Sequence, residues 1–193
     1  MTETNVFLNV PFDRKFERPF VALVVGVVAH GGIPRCVLEL PSSKQRLARL
    51  LRLIRSCDIS FHDLSRVQST RTTHGLVPRF NMPFELGLAV MHDRRFFVLE
   101  ERPYRLLASL SDLNGFDPLV HHNDPRVVLS KLRDALRSTP HSPTQRELVT
   151  VYERVRDMTF AQLRRDGADL FSRSVFDELR TLATVECRNL GLL

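Results

Sequence analysis

The sequence predicts an α/β protein in which a parallel five-stranded sheet is covered by helices on both faces and followed by a C-terminal helical extension. Short β-branched and aromatic runs alternate along the chain with longer segments of helical periodicity. Such alternation favours a parallel sheet, because each parallel connection needs a crossover that is usually a helix. A proline- and serine-rich stretch, Thr139–Pro143, then precedes two more helical patterns. We therefore expect a sheet domain at residues 1–139 and a helical extension at 140–193.

The first half of the chain supplies three strands and two helices. The expected elements are strand Asn5–Val10, helix Phe16–Ala29, strand Ile33–Leu40, helix Lys44–Ser56 and strand Asp58–Leu64. The first helix is apolar on nearly every side and should be heavily buried. Pro34 cannot donate to a sheet ladder, which favours an edge position for the second strand. The second helix carries a predicted core stripe of Leu47, Leu50, Leu51 and Ile54.

The second half completes the sheet and adds the extension. The expected elements are loop Gln68–Pro78, helix Pro83–His92, strand Arg95–Glu100, helix Pro103–Leu113, short strand Phe116–His122, and helices Pro125–Ser138, Gln145–Leu163 and Ser172–Asn189. The polar, threonine-rich loop is expected to be mobile and to lie over the site. The extension is too small to hold much core alone, so it should pack on the sheet domain or on another subunit. The arrangement is that of a flavodoxin-like or Rossmann-like fold.

Composition excludes several classes of protein. No apolar run reaches the roughly 20 residues of a membrane-spanning helix, and no signal peptide is recognisable, so a cytoplasmic protein is expected. The net charge of +6 does not predict nucleic-acid binding, because the arginines of the second helix fit its solvated face and lack interleaved aromatic residues. The three cysteines lack metal-ligand spacing and are expected to be buried thiols. No metal or cofactor is expected.

Glu85 is the acid that the sequence singles out, because it stands among apolar neighbours near the start of a predicted helix. Pro83 fits the first helical position, which places Asn81 or Met82 at the cap. The helix dipole favours the ionised carboxylate, whereas burial beside Phe84 and Leu86 raises its pKa. Tension of this kind is typical of catalytic acids, although first-turn acids also simply complete helix starts.

Ligands of open parallel sheets bind outside the carboxyl ends of the strands, where several polar side chains are expected to meet. Asn9 and Phe12 follow the first strand, Asp63 ends the third, and Glu85 begins the next helix. The chain has no GxGxxG motif after its first strand and no GxxxxGK[ST] motif. These absences argue against a dinucleotide oxidoreductase and a P-loop NTPase.

A first strand that ends in a proline-containing loop, an Asp after the third strand, and a helix that opens with Glu85-Leu86-Gly87 resemble the nucleoside deoxyribosyltransferase-like group, which is similar to TIR-type NAD hydrolases. The resemblance covers about residues 5–138. It implies that Glu85 attacks or stabilises the anomeric carbon of a ribosyl group and that Asp63 matches the family's acid after the third strand. The family often has Asp-Ser-Gly-Thr before the glutamate, where this chain has residues 79–82, Arg-Phe-Asn-Met. The substrate class is therefore left open.

Cleavage of an N-glycosidic bond needs a carboxylate beside the anomeric carbon and a proton source near the departing base. Glu85 is predicted for the first role, and Asp63 or His62 for the second. The candidate substrate-binding residues are Asn9, Pro11, Phe12, Arg35, Arg66, Arg79 and Asn81. The three arginines are candidates to hold a phosphate by charge-assisted hydrogen bonds.

Each candidate also has a structural interpretation. His62 within an apolar strand is more often a hydrogen-bonded core histidine than a catalyst. Asp63 is equally suited to fixing the loop that begins at Leu64. Arg66 and Arg79 are equally likely to be solvated side chains. Gly87 suits close packing of its helix against a neighbour. His121 and His122 do not predict a metal site, because adjacent strand residues point to opposite faces.

The leading hypothesis is an N-glycosidase or transferase acting on a nucleoside, nucleotide or NAD-like substrate, with NAD as a substrate rather than a cofactor. The alternatives are a non-catalytic nucleotide-sensing module on the same fold and an interaction module whose C-terminal helices mediate assembly. A homo-oligomer is expected, whereas a membrane partner is not.

Overall fold

The computed structural model of the protein describes residues 4–41, 45–67, 70–72, 75–77, 80–103, 117–137 and 141–193. Their helices and strands are β1 (Thr4–Asn9), α1 (Glu17–Ala29), β2 (Gly32–Arg35), α2 (Arg46–Arg55), β3 (Ile59–Asp63), β4 (Thr70–Thr72), β5 (Gly75–Val77), α3 (Asn81–Val90), β6 (Arg95–Glu100), β7 (Leu119–Val120), α4 (Pro125–Ala135), α5 (Gln145–Asp166) and α6 (Arg173–Asn189). Single 3-10 turns cover Arg14–Phe16 and Val37–Glu39.

The main sheet has five strands in the order β2-β1-β3-β6-β7, and every neighbouring pair is parallel. The predicted five-stranded parallel sheet with helices on both faces is confirmed, and its order is the flavodoxin-like one. Strand order reverses between β1 and β3, so the carboxyl ends of these two strands flank the crevice where such folds bind ligands. β2 lies at an edge, as Pro34 predicts.

One face of the sheet is covered by α1, whose apolar side chains are almost completely buried. The β1 side chains Val6 and Leu8 belong to the same core, and so does Phe61 of β3. α1 also contacts α4, and the two helices pack closely at Gly26, where an added Cβ would lie 2.7 Å from Leu132 Cδ1. Gly26 therefore allows these two helices to pack closely.

The C-terminal extension forms an outer layer over α1. Thr144 caps α5 through a hydrogen-bonded capping box with Glu147, and Gly167, in the left-handed conformation at φ 63°, ends it. Both α5 and α6 contact α1, and their buried side chains join the core of the sheet domain. The expectation that this segment packs back on the sheet domain is confirmed. None of the described helices combines the length and apolar character needed to span a membrane.

The opposite face of the sheet carries α2 and α3. The buried side chains of α2 are Leu50, Leu53 and Ile54, which form a cluster with Phe7 of β1 and Ala89 of α3. The predicted stripe was therefore partly wrong, because Leu47 is exposed and Leu51 is only half-buried. The buried side of α2 is therefore centred nearer to Leu53 than the predicted stripe.

Two other expectations need correction, and a third is not tested. β2 ends at Arg35, and the apolar residues that follow form a 3-10 turn instead of continuing the strand. The segment predicted as a loop contains the antiparallel pair β4 and β5. Of the helix predicted at Pro103–Leu113, residues 104–113 lie outside the described residues. The expectation for the cysteines is confirmed, since Cys36, Cys57 and Cys187 are buried free thiols.

Candidate functional site

α3 begins two residues earlier than its sequence indicates. Phe80 is the N-cap and Asn81 the first helical residue, so Pro83 occupies the third position. Proline is tolerated there because the first four N–H groups of a helix have no partner within the helix. Glu85 consequently lies in the second turn, and the predicted first-turn position was wrong. The dipole acts mainly on the first turn and favours the ionised form less than expected.

The side chain of Glu85 faces inward. It shares the buried stripe of α3 with Met82, Leu86 and Ala89, and the residue is only 9% exposed. Its carboxyl group makes no hydrogen bond or ion pair with any residue that the structure describes. Burial raises the pKa of Glu85 to about 7, although the positive charge of Arg46 acts in the opposite direction. A carboxyl group that is desolvated and unpaired is a reactive base near neutral pH.

Asn9 connects α3 to the carboxyl edge of the sheet. Its Nδ2 lies 2.9 Å from Nδ1 of His62, and it also donates to the backbone oxygen of Met82 at 2.9 Å. The two amide hydrogens of Asn9 thereby join β1, β3 and the first turn of α3. This bridge fixes the helix that carries Glu85 against the sheet.

His62 is a hydrogen-bonded core histidine. It is fully buried, and its Nε2 lies 2.9 Å from Oγ of Ser60. Because Nδ1 accepts from Asn9, the ring proton resides on Nε2 and is donated to Ser60. Burial lowers the pKa of His62 to about 3, so the ring is neutral at physiological pH. This geometry favours the interpretation of His62 as a structural core residue over that of a catalyst.

Asp63 is also fully buried and has both carboxylate oxygens engaged. Oδ1 accepts from the backbone N–H of Ser65 at 2.9 Å, and Oδ2 lies 2.8 Å from Nε2 of His121. Nδ1 of His121 accepts from the backbone N–H of Asn123, so the Nε2 proton is the one donated to Asp63. The Ser65 hydroxyl in turn accepts from the backbone N–H of Glu101. Asp63 therefore links the ends of β3, β6 and β7. This agrees with the structural role considered for it above, in which it fixes the loop that begins at Leu64.

The structure does not bring the three predicted catalytic residues onto one face of the sheet. Consecutive strand residues point to opposite faces, so His62 and Asp63 diverge. His62 lies on the α3 side, with its ring centroid 6.0 Å from that of Phe7. Asp63 lies on the α1 side, where its partner His121 contacts Phe16. The expectation that Asp63 and Glu85 converge is corrected accordingly, whereas Asn9, His62 and Glu85 all lie on the α3 face of the sheet.

The predicted phosphate-binding arginines are held by internal acids. Arg66 donates through Nε to Asp13 at 3.3 Å and through Nη1 to Glu101. Arg35 donates to both carboxylate oxygens of Glu39, at 3.0 and 2.9 Å, and to Oδ1 of Asn5. These pairs neutralise both guanidinium groups. Arg79, the third candidate, lies outside the described residues.

The remaining predicted site residues lie on different surfaces. Phe12 packs on the α1 side, with its ring centroid 5.3 Å from that of Phe171 in the extension, and Pro11 beside it is buried. Asn81 is exposed at the start of α3. Gly87 is exposed too, and a Cβ added there would meet nothing within 4 Å. Within the chain, the close-packing role expected for Gly87 is wrong, and Gly26 has that role instead.

Glu100 is a buried acid that the sequence analysis did not select. It is the last residue of β6 and is fully buried. Val98, two residues earlier, packs with Met82 and Leu86 of α3, so strand alternation places Glu100 on the α3 face as well. The rule that selected Asp63, an acid at the carboxyl end of a central strand, applies equally to Glu100 and could have found it.

Comparison with known proteins adds no assignment. No family model matches the chain, and no curated protein matches it. Within the described part of the chain, no group of three or more His, Cys, Asp or Glu side chains could hold a metal ion.

Proposed function

We infer that the protein cleaves or transfers the N-glycosidic bond of a nucleoside, nucleotide or NAD-like substrate, with Glu85 as the reacting carboxylate. The observation that carries this proposal is the Glu85 carboxyl group, which is buried beside the carboxyl edge of the sheet and lacks any described partner. An acid in that state lowers the stability of the fold, and strongly perturbed acids concentrate at functional sites. The resemblance around the Glu85-Leu86-Gly87 motif supports the same chemistry.

The reaction uses the ionised form of Glu85. A carboxylate oxygen approaches C1′ of the sugar while the C1′–N bond breaks, and the electron pair of that bond leaves with the base, which takes up a proton. Water in hydrolysis, or a ring nitrogen of a second base in transfer, then attacks C1′ and loses a proton, which replaces the one that the departing base took up, and the carboxylate is released. With a pKa of about 7, Glu85 is ionised in a large fraction of molecules at neutral pH and is more nucleophilic than a solvated carboxylate.

Asn9 and His62 position this group rather than exchange protons. The single ring proton of His62 is donated to Ser60, so His62 has none for a departing base. Both Asn9 hydrogens are used within the protein, whereas its Oδ1 is not engaged by any described residue and accepts a sugar hydroxyl in this proposal. Glu100, on the same face, is the candidate proton donor in place of Asp63.

The test is base release by purified protein from a panel of nucleosides, deoxynucleoside monophosphates and NAD, followed by chromatography. Glu85→Gln keeps the shape of the side chain and removes the carboxylate, so we expect at least about a hundredfold loss of turnover. Glu153→Gln is the matched control, because Glu153 lies on α5 and forms an exposed surface ion pair with Arg126. We expect Glu100→Gln to lower turnover as well.

Two outcomes would contradict the proposal. Base release by Glu85→Gln at the wild-type rate would remove Glu85 from the reaction. Binding of a nucleotide by both proteins without any base release would favour the sensing module. Calorimetric titration of each ligand against wild type and Glu85→Gln distinguishes these outcomes from a loss of binding.

A further inference from the structure

The outward side of α3 carries a row of large apolar residues. Phe80, Phe84, Gly87 and Met91 follow one another at spacings of four, three and four, which places them on one side of a helix. Phe80 is 68% exposed, Phe84 50% and Met91 82%. We call these four residues the α3 stripe. Large apolar residues in a contiguous exposed row mark an interaction surface rather than ordinary surface scatter.

The α3 stripe lies on a helix that shows no charge to solvent. All ten residues of α3 are described, and Glu85, its only charged residue, faces inward. Charged residues make up 26% of the whole chain, which has a net charge of +6. An acidic partner would find no basic side chain on α3 to pair with. A second copy of the same helix requires no complementary charge and meets no like charge there.

Gly87 gives the α3 stripe a shape that complements itself. It is exposed in the middle of the stripe, and the space beside it is open, since an added Cβ would meet nothing within 4 Å. Two copies related by a twofold axis present the same patch to each other. If the helices cross near Gly87, then Phe84 of each copy fits beside Gly87 of the other. The missing side chain allows the two backbones to approach closely.

The exposed apolar area of the α3 stripe is close to the apolar share of a standard dimer interface. With about 200 Å² for each whole Phe or Met residue, the exposed fractions of Phe80, Phe84 and Met91 leave roughly 400 Å² of mostly apolar surface per copy, or roughly 800 Å² in a pair. A standard interface buries about 1,600 Å² in total, of which about 900 Å² is apolar. The flanking residue Val90, 40% exposed, supplies much of the difference.

We propose that the protein forms a twofold dimer in which the α3 stripes of two copies pack against each other. This surface differs from the C-terminal helices that the sequence suggested for assembly. It also does not depend on the proposed reaction, because the Glu85 side chain points to the opposite side of α3.

The first test is sedimentation of the full chain between about 1 and about 100 µM. We expect wild type to dimerise, and Met91→Arg to raise the dissociation constant at least tenfold, because each copy then buries an unpaired charge against the apolar α3 stripe of the other. Met91 is so exposed that the substitution leaves the monomer fold intact. Met158→Arg is the matched control: Met158 is 50% exposed on α5 and lines a cavity of about 510 Å³ between α5 and α6.

The second test is disulfide cross-linking of Gly87→Cys under mild oxidation. The three native cysteines are buried, so wild type provides a background without cross-linked dimer. We expect Gly87→Cys to cross-link rapidly and Met158→Cys not to do so. A chain that stays monomeric across the concentration range would overturn the proposal. So would a dimer that Met158→Arg dissociates while Met91→Arg leaves it intact.

Discussion

Replacing Glu85 with Gln should make the folded protein more stable at neutral and alkaline pH. The pKa of Glu85 is raised from 4.5 to about 7 by burial. Between those two values the folded chain retains a proton that the unfolded chain has released, so the free energy of unfolding falls as pH rises through this window. Above pH 7 the loss is complete. It amounts to about 3 kcal/mol at most, at about 1.4 kcal/mol for each pH unit between the two pKa values.

The measurement is urea unfolding of wild type and Glu85→Gln at pH values from about 4.5 to about 8.5, followed by circular dichroism. We expect the stability of the variant, relative to wild type, to increase steadily from pH 4.5 to 7 and then to level off. Other titrating groups, His62 among them, are common to both proteins and cancel in the difference. Glu153→Gln, which removes an exposed ion pair, should differ from wild type by no more than about 1 kcal/mol at any pH.

A difference between Glu85→Gln and wild type that stays constant within about 0.5 kcal/mol over this range would refute the reasoning. It would mean that the carboxylate is solvated or paired in solution and carries no desolvation cost. The inference of a reactive acid would then lose its physical basis, because the raised pKa and the proposed nucleophilicity have the same cause.

Two further predictions concern single contacts. Gly87→Ala should stabilise the monomer by about 0.5–1 kcal/mol, since alanine favours the helix and its Cβ meets open space. Gly26→Ala should destabilise the monomer by about 1–2 kcal/mol, because its Cβ would overlap Leu132. Thermal unfolding at low protein concentration compares the two variants, and equal effects on stability would contradict the packing described for these glycines. Asp63→Asn should lower the free energy of unfolding by about 1–3 kcal/mol, because the new side-chain NH₂ would face the Nε2 proton of His121, donor against donor. If His121 instead carried its proton on Nδ1, that proton would face the backbone N–H of Asn123. Urea unfolding tests this, and a cost below about 0.5 kcal/mol would show that the pair is dispensable.

Helices and strands with a long or continuous apolar pattern could be predicted from the sequence. The exact start of α3 and the side of α2 that is buried could not. Strand β6 has the predicted bounds because its apolar residues are continuous. Pro83 suits any of the first positions of a helix, so it could not fix the start of α3. The leucines of α2 fit helical spacing on two overlapping sides of the helix. Leu53 is buried because that side packs against Phe7 and Ala89, and this contact cannot be deduced from the sequence of α2 alone.

The candidate site was predictable in part for a similar reason. Glu85 stands out locally because it is an acid among apolar residues. The pair of Asp63 and His121 joins residues 58 positions apart, and nothing in either local sequence indicates that both oxygens of Asp63 are engaged. The divergence of His62 and Asp63, in contrast, follows from strand alternation alone. It could have been deduced before the structure was known.

Helix α3 combines several features that weaken a fold, and together they argue for function. Glu85 is buried without a described partner, which costs up to about 3 kcal/mol at neutral pH when a whole domain is stable by only about 5–15 kcal/mol. Gly87 sits exposed at mid-helix, where alanine would be better by about 1 kcal/mol. Phe80, Phe84 and Met91 add exposed apolar surface. Local choices that oppose stability are expected where a protein binds or reacts. The inward side of this helix therefore fits a reacting acid, and its outward side fits a second copy of the chain.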